Sequence, residues 1–492
     1  GLELARDGAG SRRGYQFDHG RPHLFRVNLE KFKVKKMSAA ASAGFDRDWL
    51  IDSEGQVAYT LNINQNTGEW SIRNRKSRGI VSGRQARGAV RLIGISSDGS
   101  SAIYTERGED RTYWWEIGQA GGEPRPFLDD TSFNNLFWNR QTGTLMGYTT
   151  GEDEAERHFF ADKSLQTKAE RVRKAFASYD AWISDWTSNL SDVIVRTSGT
   201  GDSGTYYAVN LETNLGNPIA YSRSAIGPDA VGPISTFEYT ASDGLEMDGI
   251  LTLPPGTKEP TNLPVVMLPH GGPAGEDSER FDWWAQAFAS RGYAVFQPNF
   301  RGSTNRGATF QRAGYGEWGR KMQTDKSDGL AALAKAGIVD PDRACIVGAS
   351  YGGYAALAGV TIQQGLYKCA VAVAPVSDLR DMYEEDYLAS GKERTTRTAL
   401  REQLGDPDLW NEVSPLKRAH EADAPIMLIH GKDDTVVPYS HSAKMADKLK
   451  DADKQYEFVT LEGEDHWLSL SVTRQQMLEN AVRWVEAYNP PD

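Results

Sequence analysis

The stretch that decides the fold of the C-terminal half is ACIVGASYGGYAALAGV, residues 344–360. Its first four residues, Ala344–Val347, are apolar and predict a buried strand, and the small and apolar residues from Tyr354 onward predict a helix. Between the two lies Gly348-Ala349-Ser350-Tyr351-Gly352, whose glycines allow a sharp turn from strand to helix. Such a turn raises the Ser350 hydroxyl above the sheet, so Ser350 is the candidate nucleophile.

A serine hydroxyl is a poor nucleophile unless a general base takes its proton and a third group orients that base. In α/β-hydrolases the chain order is Ser, then Asp or Glu, then His, which leaves His420, His430, His441 and His466 as candidates for the base. We select His466, because it lies in an acid- and glycine-rich loop directly after the last predicted strand. We expect His430 to be structural and His441 to be a solvated surface histidine.

The orienting acid is expected on the loop after the penultimate strand, which contains Asp433 and Asp434. One of them must face the base, and spacing alone does not separate these neighbours. An oxyanion hole also needs two N–H donors. The backbone N–H of Tyr351 is one candidate, and the glycine-containing loop Pro269–Pro273 follows a predicted strand and can supply the second.

Around this stretch, buried strands alternate with helical segments, which predicts βαβ units and a largely parallel sheet with helices on both faces. A hairpin over Thr236–Pro255 comes first, with Ser242-Asp243-Gly244 as its turn. We therefore predict an α/β-hydrolase domain over residues 236–492. The strands that we predict after the hairpin are Pro264–Leu268, Tyr293–Gln297, Ala344–Val347, Cys369–Ala374, Ile426–Ile429 and Tyr456–Leu461.

The N-terminal half, residues 1–235, has a different rhythm, with short strands broken by Gly, Asp, Asn and Ser. Gly55, Gly99 and Gly143 occupy turns at a spacing of 44 residues. Four-stranded propeller blades repeat at about 40–45 residues, so this half predicts an all-β propeller, with a β-sandwich as the alternative. About four and a half units fit, and a closed ring needs more; we expect that the propeller is N-terminally incomplete in this chain.

Composition excludes several functional classes. The net charge is −12, which disfavours nucleic acid as a partner. No apolar run reaches the length of a membrane-spanning helix, so no membrane partner is expected. Cys345 and Cys369 are too few for a disulfide scaffold or a structural zinc site, and we expect both to be small buried hydrophobes. A cytoplasmic location is expected, with the periplasm as the alternative.

Taken together, these residues resemble the prolyl oligopeptidase family of serine peptidases, in its acylaminoacyl-peptidase and dipeptidyl-peptidase-like branch. The order and spacing of the motifs carry the resemblance: His270-Gly271-Gly272-Pro273, Asn299-Phe300-Arg301-Gly302-Ser303, Trp318-Gly319, Asp325, Asp328-Gly329, Gly348–Gly353, Ala374-Pro375-Val376-Ser377-Asp378, Ser414-Pro415, His430–Pro438 and His466. The family is also known for an N-terminal propeller, which agrees with the repeat of the first half.

The resemblance implies a role for each matching residue. Ser350 matches the nucleophile, His466 the base and Asp434 the acid, with Asp433 as the second choice. Gly272 and Tyr351 match the oxyanion donors. The wall of the first specificity pocket matches Val376, Leu379 and Met382, although a helix face packed in the core would show the same pattern.

The implied function is a serine peptidase that cleaves short or flexible peptides through an acyl-enzyme, with the propeller restricting access. No cofactor and no metal are called for, and a homodimer is left open. The alternatives are an isopeptidase for lasso peptides, a carboxylesterase, and a non-catalytic binding protein that uses the propeller. An acidic cluster, Glu152, Asp153 and Glu154, is either a binding site for a substrate's amino terminus or a solvated loop, and we favour the loop.

Overall fold

The computed structural model describes residues 5–6, 11–18, 21–28, 30–39, 41–108, 111–128, 133–150 and 157–491. By compactness the chain divides into two units, and neither is continuous in sequence. The first unit comprises residues 1–195, 207–217 and 387–399, and the second comprises residues 196–206, 218–386 and 400–492. The boundary between residues 235 and 236 stays a prediction.

The described residues before residue 222 form five antiparallel sheets, each built from strands that follow one another along the chain. Four of these sheets have four strands and one has three, the arrangement of propeller blades. The strands are β1 (Ala5–Arg6), β2 (Ser11–Asp18), β3 (Arg21–Asn28), β4 (Lys33–Ser38), β5 (Phe45–Ile51), β6 (Val57–Asn64), β7 (Glu69–Asn74), β8 (Gly79–Arg84), β9 (Val90–Ile95), β10 (Ser101–Arg107), β11 (Thr112–Gly118), β12 (Arg125–Leu128), β13 (Phe133–Trp138), β14 (Leu145–Thr150), β15 (Arg157–Phe160), β16 (Asp180–Trp186), β17 (Asp192–Gly199), β18 (Asp202–Asn210) and β19 (Leu215–Tyr221).

The repeating turns have a backbone conformation that requires glycine. Gly55, Gly99 and Gly143 have φ angles of 77°, 78° and 71°, in the left-handed region that other residues rarely adopt. The 44-residue glycine spacing seen in the sequence is thus the spacing of one tight turn in successive blades.

The second unit contains an eight-stranded sheet in the order β20-β21-β23-β22-β24-β25-β26-β27. Its first two strands form the predicted hairpin, β21 pairs with β23 antiparallel, and the other pairings are parallel. The strands are β20 (Ile234–Thr240), β21 (Glu246–Thr252), β22 (Leu263–Met267), β23 (Ala294–Asn299), β24 (Val339–Ala349), β25 (Cys369–Val373), β26 (Ile426–Gly431) and β27 (Tyr456–Leu461). This is the α/β-hydrolase architecture predicted from the sequence.

Helices cover both faces of this sheet. Alternate residues of a strand enter different clusters, so that Val265 and Met267 pack in one core and Val266 in the other. The helices of the described residues are α1 (Lys163–Ala175) in the first unit, α6 (Leu379–Ala389) and α7 (Arg394–Leu404), which are each divided between the two units, and, in the second unit, α2 (Trp283–Ala289), α3 (Gly307–Arg312), α4 (Lys321–Lys335), α5 (Tyr351–Thr361), α8 (Ser440–Asp451) and α9 (Ser471–Tyr488). None of the helices in the described ranges is both long and apolar enough to cross a membrane.

The two cysteines differ from the sequence expectation in one respect. Cys345 in β24 and Cys369 in β25 are wholly buried, as expected, but they are also register partners on adjacent strands and form a disulfide. Their separation of 24 residues gave no sign of this pairing. The pairing follows from the parallel register, which places their Cα atoms 4.8 Å apart.

Candidate active site

Ser350 lies at the turn between β24 and α5 in a strained backbone conformation. Its φ and ψ angles are 59° and −120°, which is rare for a residue with a side chain. The strain is held by close packing: the Ser350 N–H donates to the carbonyl of Val373 at 2.9 Å, and a β-carbon on Gly348 would lie 2.5 Å from the backbone of Gly352. The two glycines of the motif are therefore required for the turn.

The Ser350 side chain is half-buried, and its hydroxyl makes no capping hydrogen bond to α5. Serine usually satisfies a helix N-terminus when it stands at the cap. The Ser350 hydroxyl is therefore not engaged in capping the helix.

The glycine loop after β22 lies against Ser350. A β-carbon on Gly271 would be 3.4 Å from the Cβ of Ser350, and one on Gly352 would be 2.2 Å from the Pro269 carbonyl oxygen. Gly272 has a φ of 117°, which only glycine adopts readily. The structure thus brings the loop Pro269–Pro273 to the nucleophile turn, and the donor roles of Gly272 and Tyr351 stay predictions.

Asp434 and His466, which are 32 residues apart in sequence, form a close pair. The distance from His466 Nδ1 to Asp434 Oδ2 is 2.7 Å, and both side chains are largely buried. The other carboxylate oxygen accepts the backbone N–H groups of Val436 and Val437 at 2.8 and 2.9 Å. The carboxylate therefore faces the imidazole in a fixed orientation, whereas Asp433 is exposed.

Asp434 is ionised in this environment. Burial alone would raise its pKa, but hydrogen bonding to His430 and His466, together with the His466 charge and the Val436 N–H, lowers the pKa well below its usual range. An ionised carboxylate at Nδ1 keeps the proton on that nitrogen and leaves Nε2 as the basic atom.

His430 contacts the Asp434 carboxylate and two neighbouring polar groups. Its Nε2 lies 3.4 Å from Asp434 Oδ2 and 2.9 Å from the Val437 carbonyl oxygen, and its Nδ1 lies 2.7 Å from the Ser442 hydroxyl. Its side chain is wholly buried, and its structural role stays a prediction.

The expectation for His441 was wrong. His441 is buried rather than solvated, because the first turns of α8 pack against the segment after β25. Its Nδ1 accepts the Ser377 backbone N–H at 3.1 Å, so Nε2 carries the proton that Glu385 accepts at 3.0 Å.

The loop that carries His466 is built around Glu464, which sequence reasoning missed. This buried carboxylate accepts the backbone N–H groups of Asp465, Ser469 and Leu470 at 2.9, 2.8 and 3.2 Å. In the sequence, Glu464 is one of several acidic residues just before His466. Nothing in the composition of this loop distinguishes it from its solvated neighbours.

The three residues of the predicted pocket wall differ in burial. Val376 and Leu379 are buried in an apolar cluster with Tyr351 and Trp318, and Met382 is partly buried against the same cluster. Their contribution to a specificity pocket stays a prediction. Glu152, Asp153 and Glu154 lie outside the described residues.

The geometry forms two parts of the candidate active site. One part is the strained Ser350 turn with its glycine loop, and the other is the Asp434–His466 pair. Within the described residues no hydrogen bond joins the Ser350 hydroxyl to His466; in free hydrolases this bond is often long and tightens only when substrate binds. The described residues contain no group of three or more His, Cys, Asp or Glu side chains that could hold a metal ion.

Comparisons with known proteins test the family resemblance. Residues 279–489 match the sequence profile of the prolyl oligopeptidase family, so the resemblance seen in the motifs is confirmed. Dipeptidyl aminopeptidase BIII of Pseudoxanthomonas mexicana is 28% identical over 395 residues, which cover 76% of this chain and 56% of that protein. The acylamino-acid-releasing enzyme of Rattus norvegicus is 23% identical over 50% of this chain and 34% of its own length.

Solved structures show the same fold. A puromycin-hydrolyzing peptidase of Mycobacterium tuberculosis aligns with a TM-score of 0.73 and 19% identity, covering 99% of this chain and 78% of that chain. The acylaminoacyl peptidase of Pyrococcus horikoshii aligns with a TM-score of 0.65 and 17% identity, over 99% of this chain and 88% of its own. The chain spans 56% of the length of the dipeptidyl aminopeptidase.

Proposed function

We propose that this protein is a serine peptidase that hydrolyses amide bonds in peptides through an acyl-enzyme, and the match of residues 279–489 to the prolyl oligopeptidase family supports this proposal. The observation that carries the proposal is the fixed Asp434–His466 pair, with 2.7 Å between carboxylate and imidazole, in a domain that also holds Ser350 in a strained turn. Both elements are needed for nucleophilic catalysis by serine.

In the first step the Ser350 oxygen attacks the amide carbonyl carbon while His466 Nε2 takes the hydroxyl proton. The carbonyl oxygen becomes an anion, which the backbone N–H groups of Tyr351 and Gly272 stabilise. His466 then gives its proton to the leaving nitrogen as the carbon–nitrogen bond breaks, and Asp434 stabilises the imidazolium throughout without taking a proton.

In the second step water attacks the ester that links the acyl group to Ser350. His466 takes the water proton and returns it to the serine oxygen, which releases a carboxylic acid and the free enzyme. Apart from the substrate and water, the groups that act in both steps are side chains or backbone amides of this chain.

Peptides are the substrate class that the comparisons support, since the similar proteins are named as a dipeptidyl aminopeptidase and acylamino-acid-releasing enzymes. The family resemblance also supports a restriction to short or flexible peptides by the propeller. This restriction predicts cleavage of unfolded peptides at rates far above those of folded proteins that contain the same sequences.

The test compares the wild type with Ser350→Ala. A fluorophosphonate probe is expected to label the wild type at Ser350 and to leave the variant unlabelled, and the variant should lose turnover while its circular dichroism and unfolding temperature stay unchanged. Hydrolysis by the Ser350→Ala variant at the wild-type rate would contradict this mechanism.

Two further experiments with the wild-type protein identify the substrate class. A peptide-library digest read by mass spectrometry gives the position of cleavage and any need for a free or blocked amino terminus. Comparison of kcat/KM for peptide anilides, simple esters and side-chain amide-linked peptides separates a peptidase from a carboxylesterase and from an isopeptidase. Absence of both labelling and hydrolysis in the wild type would favour a binding protein.

A further inference from the structure

Lys326 is a wholly buried lysine in α4 that the proposed mechanism does not use. Its Nζ donates to the Met322 carbonyl oxygen, lies 3.3 Å from the Tyr351 hydroxyl, and is 3.7 Å from the centre of the Phe300 ring. A carbonyl, a hydroxyl and an aromatic face are the groups that solvate an ammonium ion in the absence of water.

In the part of the chain that the structure describes, no carboxylate lies within ion-pair distance of Lys326. The adjacent residue in the chain, Asp325, is paired with Arg301. The side-chain nitrogens of Arg301 lie 2.7 to 3.0 Å from the two carboxylate oxygens of Asp325. Arg301 also binds Asp243 at 2.9 Å, and Asp243 binds Lys321 at 3.0 Å. Two carboxylates thus balance two cations, and among the described residues none forms an ion pair with Lys326, a costly arrangement for a buried ion.

Lys326 contacts the side chain of Tyr351, one predicted donor residue, and is linked through Phe300 to the loop that carries the other, Gly272. The Phe300 ring that contacts Lys326 also stacks on His270, with ring centres 4.4 Å apart and an interplanar angle of 19°. Tyr351 packs against Phe300 with ring centres 5.2 Å apart. Burial, together with the nearby Lys326 charge, lowers the pKa of His270 to about 4, so the charge acts at the glycine loop.

We propose that Lys326 is a positioning residue of the oxyanion hole, which holds Tyr351 and the His270 loop through the Phe300 stack and places a positive charge behind the site where the carbonyl oxygen becomes an anion. The inference rests on the proposed function. Charge that is fixed in a dry environment before the reaction stabilises a developing anion far more than a solvated charge does.

The proposal predicts a specific pH dependence. Burial lowers the pKa of Lys326 to about 7, against the opposing attraction of Asp325. The other polar and charged groups around it are Arg301, the neutral His270 and the Tyr351 hydroxyl, whose pKa burial raises well above its usual value. Lys326 is therefore charged below pH 7 and loses its charge above it, so kcat should decline on the alkaline side.

The test uses the full chain with Lys326→Met, which keeps the length of the side chain and removes its charge. The matched control is Lys335→Met, at the exposed end of the same helix. For Lys326→Met we expect kcat to fall about tenfold, less than the loss of a direct oxyanion donor, with KM within about twofold and without the alkaline decline. The control should retain the wild-type kcat and pH profile.

Two results would overturn the proposal: a wild type whose kcat shows no decline above pH 7, or a folded Lys326→Met variant with wild-type kcat and pH profile. If Lys326→Met does not fold, Phe300→Leu replaces it; loss of the ring should move the alkaline decline to lower pH, and an unmoved decline contradicts the proposal. Probe labelling of wild-type Ser350 is measured first, so that a failure of the proposed function is recognised separately.

Discussion

At the scale of the residue, Asp434 is held by several hydrogen-bonding partners in the candidate site. Its carboxylate contacts two imidazoles and two backbone N–H groups. Spacing in the sequence left Asp433 and Asp434 equivalent, because adjacent residues in a loop can each face either side. The family resemblance favoured Asp434, and the structure places His466 against Asp434.

Asp434→Asn should reduce kcat by about 10³-fold or more, because an amide in place of the carboxylate no longer holds the imidazole in the tautomer that leaves Nε2 basic. Asp433→Asn is the matched control, since its exposed carboxylate makes no contact with the base and its kcat should stay within about twofold of the wild type. Kinetics on one peptide anilide measures both variants. A larger loss for Asp433→Asn than for Asp434→Asn would reverse the assignment of the acid.

At the scale of the element, the strand–turn–helix around Ser350 was the most predictable part of the molecule. Its glycines, apolar strand and small-residue helix are all local signals, and the observed β24 and α5 match the prediction. The approach of the Pro269 loop to α5 was expected only from its position after a strand. The contact itself depends on two segments more than 80 residues apart and on the sheet that joins them.

Gly352→Ala tests this contact. Alanine is favoured over glycine inside a helix by about 1 kcal/mol, but a β-carbon here would lie 2.2 Å from the Pro269 carbonyl oxygen. We expect a net destabilisation of about 1–3 kcal/mol and a lower kcat, because the glycine loop must move.

The control for that experiment is Gly227→Ala, where a β-carbon would meet no atom within 4 Å. Urea unfolding and kcat are measured for both variants. A Gly352→Ala variant as stable and active as the control would show that the loop does not pack closely on α5.

At the scale of the whole molecule, folding stability depends on pH through buried carboxylates. Asp277 is an informative case, because its buried Oδ2 atom has no hydrogen-bond partner among the residues that the structure describes. Burial, and secondarily the nearby charge of Asp282, raises the pKa of Asp277 well above its usual value. The folded protein therefore holds this proton more tightly than the unfolded chain, so stability falls as pH rises from the unfolded pKa toward the folded one.

Asp277→Asn removes this dependence and keeps the shape of the side chain. We expect the variant to unfold at a higher temperature than the wild type at pH 8, with a smaller difference at pH 5. Thermal melts at both pH values measure the effect, and Asp342→Asn, an exposed position, should leave both melting temperatures unchanged. A gain that is larger at pH 5 than at pH 8 would contradict the sign of the shift.

The sequence by itself determined the features that depend on neighbouring residues: the 44-residue turn spacing of the blades, the hairpin and parallel strands of the second unit, and the turn at Ser350. These follow from backbone preference and periodicity, which act over a few residues. The tertiary structure alone decided the burial of His441, the disulfide between Cys345 and Cys369, and the lack of an ion-pair partner for Lys326 among the described residues. It also paired His466 with Asp434 rather than Asp433, a choice that sequence spacing left open. Each of these depends on which distant segments the sheet brings side by side, and that arrangement leaves no local pattern to read.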